Sequence, residues 1–528
     1  MSEKENNKRI AKNTLFLYIR MLLVMAVSLF TVRVVLRTLG EVDYGLYNVI
    51  GGIVAMFAFL SNTMASASQR FFSYELGKKQ FGRLRQTFSI TVIIYIIIAV
   101  IILIVAETLG IWFLNTKMTI PVERLSAANW VFQFSVISFI ITILTIPYNA
   151  AIIAQENMKI YAYVSIVEVL LKLGIVYILL LFSCDKLKLY SLLMLITTII
   201  VSVLYISYCR YKYKEYRFCF VWDKGIFKSL IGYSGWSLFG SLSGVMKNYG
   251  VNVVLNVFFE PVVNASRAIA YQVGNAINQF SMNFLTATNP QIIKYYAEGE
   301  KKKMLWLVFQ SSKLSFFLLY LLALPLIIEI DKVLSLWLDR VPSFAVIFTV
   351  LVIIDTLINS LSLPLMTAAQ ATGRIKWYQI IIGGTQLLNL PISYLFLLRG
   401  APPQSTMYVA IAISILCLFL RLFILESLLK LSFNDYIINV LFRVLLVIIF
   451  AGLPPYAIHI SMEESFMRLI LVVICSCFSS SIAILFLGFN KNERINIVDK
   501  MKAMLFKVKK NDFISSSITD KYSGPTSI

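Results

Sequence analysis

Histidine occurs once in the 528 residues, at His459, so a histidine-based metal site or proton relay has almost nothing to build on. Charge is scarce too, at 14% of residues, well below the usage of soluble domains. No long hydrophilic stretch interrupts the chain, which leaves little room for an extramembrane catalytic domain. No GxxxxGK[ST] loop is present to cradle a nucleotide. The six cysteines (Cys184, Cys209, Cys219, Cys417, Cys475 and Cys477) are scattered through apolar runs and basic segments, so a disulfide framework is not expected. The N-terminal MSEKENNKRIAKN leads into a long apolar run with no small-residue cleavage site, so no removable signal peptide is expected. These absences call for no enzyme activity, no cofactor and no metal.

Apolar residues make up 59% of the chain, and the mean hydropathy is +0.79. Uncharged runs of about 20 residues recur, the length needed to cross roughly 30 Å of hydrocarbon as a helix. Stretches such as ITVIIYIIIAVIILIV (90–105) do not alternate as barrel strands do. The fold class expected is an all-α integral membrane protein. Fourteen spans can be placed: 14–36, 46–68, 88–114, 126–150, 161–182, 189–209, 229–257, 262–286, 307–330, 344–368, 378–398, 405–426, 437–458 and 466–488.

Two phrases are written twice. LTIPYNAAIIAQENMKIYA (144–162) returns without a gap as LSLPLMTAAQATGRIKWYQ (361–379), and VVLRTLGE (34–41) returns as VVLNVFFE (253–260). The displacements, 217 and 219 residues, are too long for a solenoid and indicate a duplicated half. Six spans per half is an even number, so the copies enter the membrane from the same side as a parallel repeat. The expected organisation is a lobe at 1–210, a second at 229–430, an added helix pair at 437–488 and a basic tail at 489–528. Pro147 and Pro364 lie at equivalent places in the repeated phrase and suggest hinge-like corners. Span 7 is rich in glycine, with Gly240 and Gly244 in small-xxx-small spacing; it is expected to bend as a gate or to pack closely.

The net charge of +21 could suggest nucleic acid, but the cations lie in short segments between apolar runs. Basic clusters such as Lys78, Lys79, Arg83 and Arg85, and Lys301, Lys302 and Lys303, fall on one side, as cytoplasmic loops do. The expected location is a bacterial cytoplasmic (inner) membrane with both termini in the cytoplasm, with membrane lipids and no nucleic acid as partners.

Ionisable residues inside spans cost about 2.5–3.5 kcal/mol each near the bilayer centre and are functional candidates. Arg20, Arg33, Arg37, Glu168, Lys172, Lys247, Arg267 and Asp355 qualify. Arg33, Lys247 and Arg267 each lie roughly 6–12 Å from their span midpoints toward the outer face. With Arg37, which could instead snorkel to headgroups, they form the expected substrate-binding set. Glu168 and Lys172 have the i,i+4 spacing of an internal ion pair. Asp355 has no local partner and could pair with a buried cation or serve as a proton or sodium site.

RTLGEVDYGLYNVIGGI (37–53), QRFFSYELGKKQFGRLRQTF (69–88) and the stretch 264–303 resemble the Wzx-type polysaccharide flippases of the MOP exporter superfamily. That resemblance implies two six-helix lobes that alternate access and carry undecaprenyl-(pyro)phosphate-linked oligosaccharide to the outer leaflet for surface polysaccharide synthesis. It also makes polysaccharide polymerase machinery a candidate partner. The alternatives are a cation-coupled multidrug exporter of the same superfamily and a membrane glycan polymerase.

Overall fold

The computed structural model describes residues 3–494 apart from 56–57, 117–119, 183–184, 260, 339–340 and 491–492. Among these residues every regular element is helical. In chain order they are α1 (Glu3–Ala55), α2 (Ala58–Gly77), α3 (Phe81–Thr116), α4 (Val122–Ala154), α5 (Met158–Leu181), α6 (Lys186–Lys212), α7 (224–258) and α8 (Pro261–Ala297). Then follow α9 (Lys301–Ile328), a short helix Ile330–Trp337, α10 (Ala345–Thr372), α11 (Lys376–Leu398), α12 (Ser405–Leu429), α13 (Phe433–Ser461) and α14 (Phe466–Gly488). Among the described residues, ten of these helices are long and apolar enough to cross a membrane. Arg20, Arg33, Lys247 and Arg267 lie on α1, α7 and α8. Gly40 (φ 79°) breaks α1, so the expected span 46–68 falls partly on the end of α1 and partly on α2.

Backbone groups in hydrocarbon must find partners inside the chain, which is why the apolar runs fold as helices. A few of their starts carry side-chain caps. Asp185 accepts from the amides of Leu187 and Lys188 to start α6, and Asp223 accepts from Ile226 to start α7. At one end of the bundle left-handed backbone recurs in matched turns, Lys79 and Glu156 in the first half with Gly299 and Gly373 at the corresponding places in the second, and again at Lys430 after α12. This end carries the clustered lysines and arginines and is termed the basic end below.

The compact unit formed by 1–319 and 342–433 contains both six-helix halves apart from the last turns of α9. The halves repeat one packing scheme. In the first, α1 packs on α5, α2 on α4, α4 on α6 and α5 on α6; in the second, α7 packs on α11, α8 on α10, α10 on α12 and α11 on α12. Between the halves α2 lies against α8, while α1 meets α8 and α2 meets α7, the exchange expected of a pseudo-two-fold axis. Ala151, Ala154, Ala368 and Ala371, the alanines of the repeated phrase, are all fully buried at these crossings. Small side chains let helices approach closely where lipid offers no hydrophobic drive, which accounts for their recurrence.

The second unit, 320–341 with 434–528, holds α13, α14, the last turns of α9 and the short helix. Its centre is Glu329, 1% exposed, which accepts from Arg468 Nη2 at 3.0 Å, has the Arg468 Nε 2.9 Å away in the same ion pair and faces Nδ1 of His459 at 2.8 Å. Removing one member of such a buried set leaves an uncompensated charge, costing about 3–5 kcal/mol. Glu329→Ala is therefore expected to lower the melting temperature of the purified protein clearly, and Glu329→Gln less, as read by thermal melting in detergent.

Candidate functional site

A buried polar network occupies the second half. Lys247 sits in a π-helical turn (Met246–Gly250) of α7, a local widening that is frequent at functional positions. Its Nζ lies 3.3 Å from both carboxylate oxygens of Asp355 on α10 and donates to Ser414 Oγ of α12 at 2.7 Å. Asn359, one turn from Asp355, donates to it at 3.0 Å, and the Ser414 hydroxyl donates as well. Asn389 of α11 donates to the Lys247 carbonyl at 3.2 Å. Four helices thus meet on one ion pair. Arg267 of α8, 1% exposed, lies within electrostatic reach of Asp355. Its guanidinium covers the Tyr271 ring, 5.0 Å from the centroid, and donates to the Tyr271 hydroxyl at 3.1 Å.

The first half holds a cavity of about 270 Å³ between α1, α4, α5 and α6. Arg20 lines it, its guanidinium 4.6 Å from the Tyr161 ring centroid. Glu168 and Lys172 also line it and form their i,i+4 pair at 2.6 Å. Hydroxyls of Thr145, Ser165, Thr197 and Tyr205 complete a polar wall. The side chain of Arg33 lies outside the described residues. Of the described members of the expected set, Lys247 and Arg267 both approach Asp355, and Arg37 is exposed. Lys247 is neutralised by Asp355 rather than open to an anion. The 270 Å³ cavity of the first half is lined by neither side chain.

At the basic end the two halves are tied by charge. Glu156, 4% exposed in the turn between α4 and α5, pairs with Arg9 of α1 at 2.8 Å and with Lys294 of α8 at 2.6 Å. Its carbonyl accepts from Asn13 at 2.8 Å. The matching turn of the second half is held differently: Arg70 of α2 donates to the carbonyls of Gln370 and Ala371 at 3.1 and 2.9 Å, beside Gly373. Each half thus grips the corner of the other. Pro147 and Pro364 are buried within α4 and α10, a few turns from these corners. A Cβ on Gly240 would run into the amide end of the Gln379 side chain on α11, which lies over this glycine; at Gly244 the nearest neighbour, Gln386, is 3.8 Å away.

The MatE family profile matches residues 17–178, which run from α1 to α5. An outward-facing multidrug resistance MATE family transporter of the MOP superfamily superposes with a TM-score of 0.66 at 13% identity, covering 80% of this chain and 96% of that one. A mutant of the Vibrio cholerae MATE transporter VcmN gives 0.66 at 15% identity over 82% and 99% of the two chains. The chain has the MATE transporter fold. A Pyrococcus furiosus transporter of the MOP superfamily, described as having a binding pocket of reverse polarity that suggests a different function, matches the same fold (TM-score 0.66, 13% identity, 80% and 96% covered). None of the curated proteins matches the chain in sequence.

Within the MATE fold the repeated phrase is the structural corner at which α4 turns into α5 and α10 into α11. Sequence reasoning located that corner but missed Glu156, Arg9, Arg70 and Lys294. One signal was available: the 217-residue shift sets Glu156 opposite Gly373. A carboxylate where the sister turn uses glycine points to a side chain held for its interactions, since left-handed backbone disfavours side chains with a Cβ.

Proposed function

We propose that this multi-pass protein is a secondary transporter that moves a phosphate-bearing, lipid-linked glycan from the cytoplasmic to the outer leaflet by alternating access. The observation that carries the reading is the sign of the interior charge. Among the described residues well inside the spans, Arg20, Lys172, Lys247, Arg267, Lys313 and Arg421 outnumber Glu107, Glu168 and Asp355, with Lys172 and Lys247 already engaged by Glu168 and Asp355. A net positive interior favours an anionic cargo head, while the lipid tail can stay in the bilayer. An inside-negative potential would assist outward movement of negative charge by about 2.3 kcal/mol per elementary charge per 100 mV, so nucleotide hydrolysis is not required. Arg267 is assigned to the cargo phosphate, with Arg33 and Arg37 as further contacts, and Lys247 with Asp355 to the switch that sets helix positions. The basic end is assigned to the cytoplasm.

The fold itself favours a second reading, a cation-coupled multidrug exporter, in which Asp355 would exchange a proton or sodium ion. The two readings separate on Arg267→Ala. In cells that depend on the glycan, this variant is expected to lower export at least tenfold at normal protein level, measured as surface polysaccharide. Unchanged export together with drug efflux that requires Asp355 would favour the exporter.

A further inference from the structure

Beside the Glu156 corner lies a pocket of about 580 Å³ lined by Arg9, Lys79, Lys212, Lys214 and Lys294, with Glu215 the one carboxylate on its wall. Lys79, Lys212 and Lys214 are exposed, so their charges remain available to a ligand. Leu76 and Phe81, the latter half exposed, give the pocket an apolar edge at the start of α3. The volume is within the range of small-ligand sites, and five cations around it suit a multiply charged anion. Two of the five, Arg9 and Lys294, are the cations that hold Glu156.

We infer that this pocket is a binding site for a phosphate or pyrophosphate headgroup, and that filling it releases Glu156 and so unties the two halves at the basic end. The inference deepens the reading above by giving the cargo head a first landing site, distinct from Arg267. Phosphate oxygens accept from Arg9 in bidentate fashion and from Lys294, in direct competition with the Glu156 carboxylate. Losing the bond between Lys294 and Glu156 removes the charged tie from α8 to the turn between α4 and α5. An anion that binds better when Glu156 has let go shifts the population toward the separated state. In this scheme arrival of cargo opens the door it must pass through, and an empty transporter stays shut.

The test uses full-length protein in nanodiscs, with the native cysteines replaced by serine and spin labels on Lys78→Cys and Arg374→Cys, exposed turns of opposite halves. Pyrophosphate in solution and polyprenyl pyrophosphate in the disc are titrated separately, with sulfate as the control anion. Either phosphate source should lengthen the label distance where sulfate does not; a response to both or to only the lipid tells which portion of the ligand is read. Lys212→Ala with Lys214→Ala, both exposed and safe for folding, should weaken the midpoint at least tenfold. Glu156→Gln should show the long distance without ligand. The inference fails if neither source binds, if the double variant binds as the parent does, or if binding leaves the distance unchanged. Because the readout is distance and not export, it can fail while the Arg267→Ala result stands, and the reverse.

Discussion

Leucine at Gly77 is expected to abolish transport and lower thermal stability. A Cβ built there would lie 2.8 Å from the Ala297 Cβ, 2.8 Å from the Lys294 carbonyl oxygen and 3.0 Å from the Lys294 Cα. Two of those three atoms are main chain of α8, so the strain cannot be relieved by turning a side chain. Overpacking of this kind costs about 1–3 kcal/mol, and leucine adds three further carbons to the clash. Lys294 is itself the residue that bonds Glu156, so moving α8 also loosens the charged tie between the halves. Gly77→Leu should retain less than a tenth of parental export and melt several degrees lower, with Gly77→Ala intermediate in both. Parental export and melting in the leucine variant would show that α2 and α8 do not meet at this point.

Asp355→Ala should be the most destabilising single change in the second half. It removes the acceptor for Lys247, Asn359 and Ser414 together and leaves the Lys247 ammonium, 7% exposed, without its carboxylate. Breaking a buried pair from one side costs about 3–5 kcal/mol, whereas replacing both members by apolar residues can be nearly neutral. Lys247→Met combined with Asp355→Leu is therefore expected to recover most of the stability lost in Asp355→Ala, measured by unfolding in mixed micelles. The double variant should still transport poorly, since a switch that cannot break and re-form its pair holds one arrangement. Additive losses in the double variant would mean that the two side chains do not depend on one another. Full transport by a stable double variant would remove them from the mechanism.

The sequence shows the helices plainly because hydrocarbon imposes a length and a composition that nothing else in the chain satisfies. The repeat was legible because the duplication kept Pro147 and Pro364, and the four buried alanines, in register. The i,i+4 pair of Glu168 and Lys172 is a local relation and could be read as one. Partnerships over long separations were not readable: Lys247 meets Asp355 108 residues away, and Glu156 meets Lys294 138 residues away. Nothing local marks which of several buried cations a lone carboxylate will face. That choice is made by the crossing of α7, α10 and α12, and only coordinates report it. The lysines around the 580 Å³ pocket look, one by one, like ordinary positive-inside residues, and only their convergence from the α2, α6 and α8 ends distinguishes them.

The central claim concerns the cargo, and reconstitution addresses it directly. Purified protein in liposomes would be given a fluorescent polyprenyl-pyrophosphate glycan in one leaflet, and transfer would be followed by an impermeant quencher with and without an imposed potential. The account predicts transfer that accelerates when the receiving side is positive and stops in Arg267→Ala. Absence of transfer, alongside proton- or sodium-driven movement of a cationic dye by the same vesicles, would contradict it.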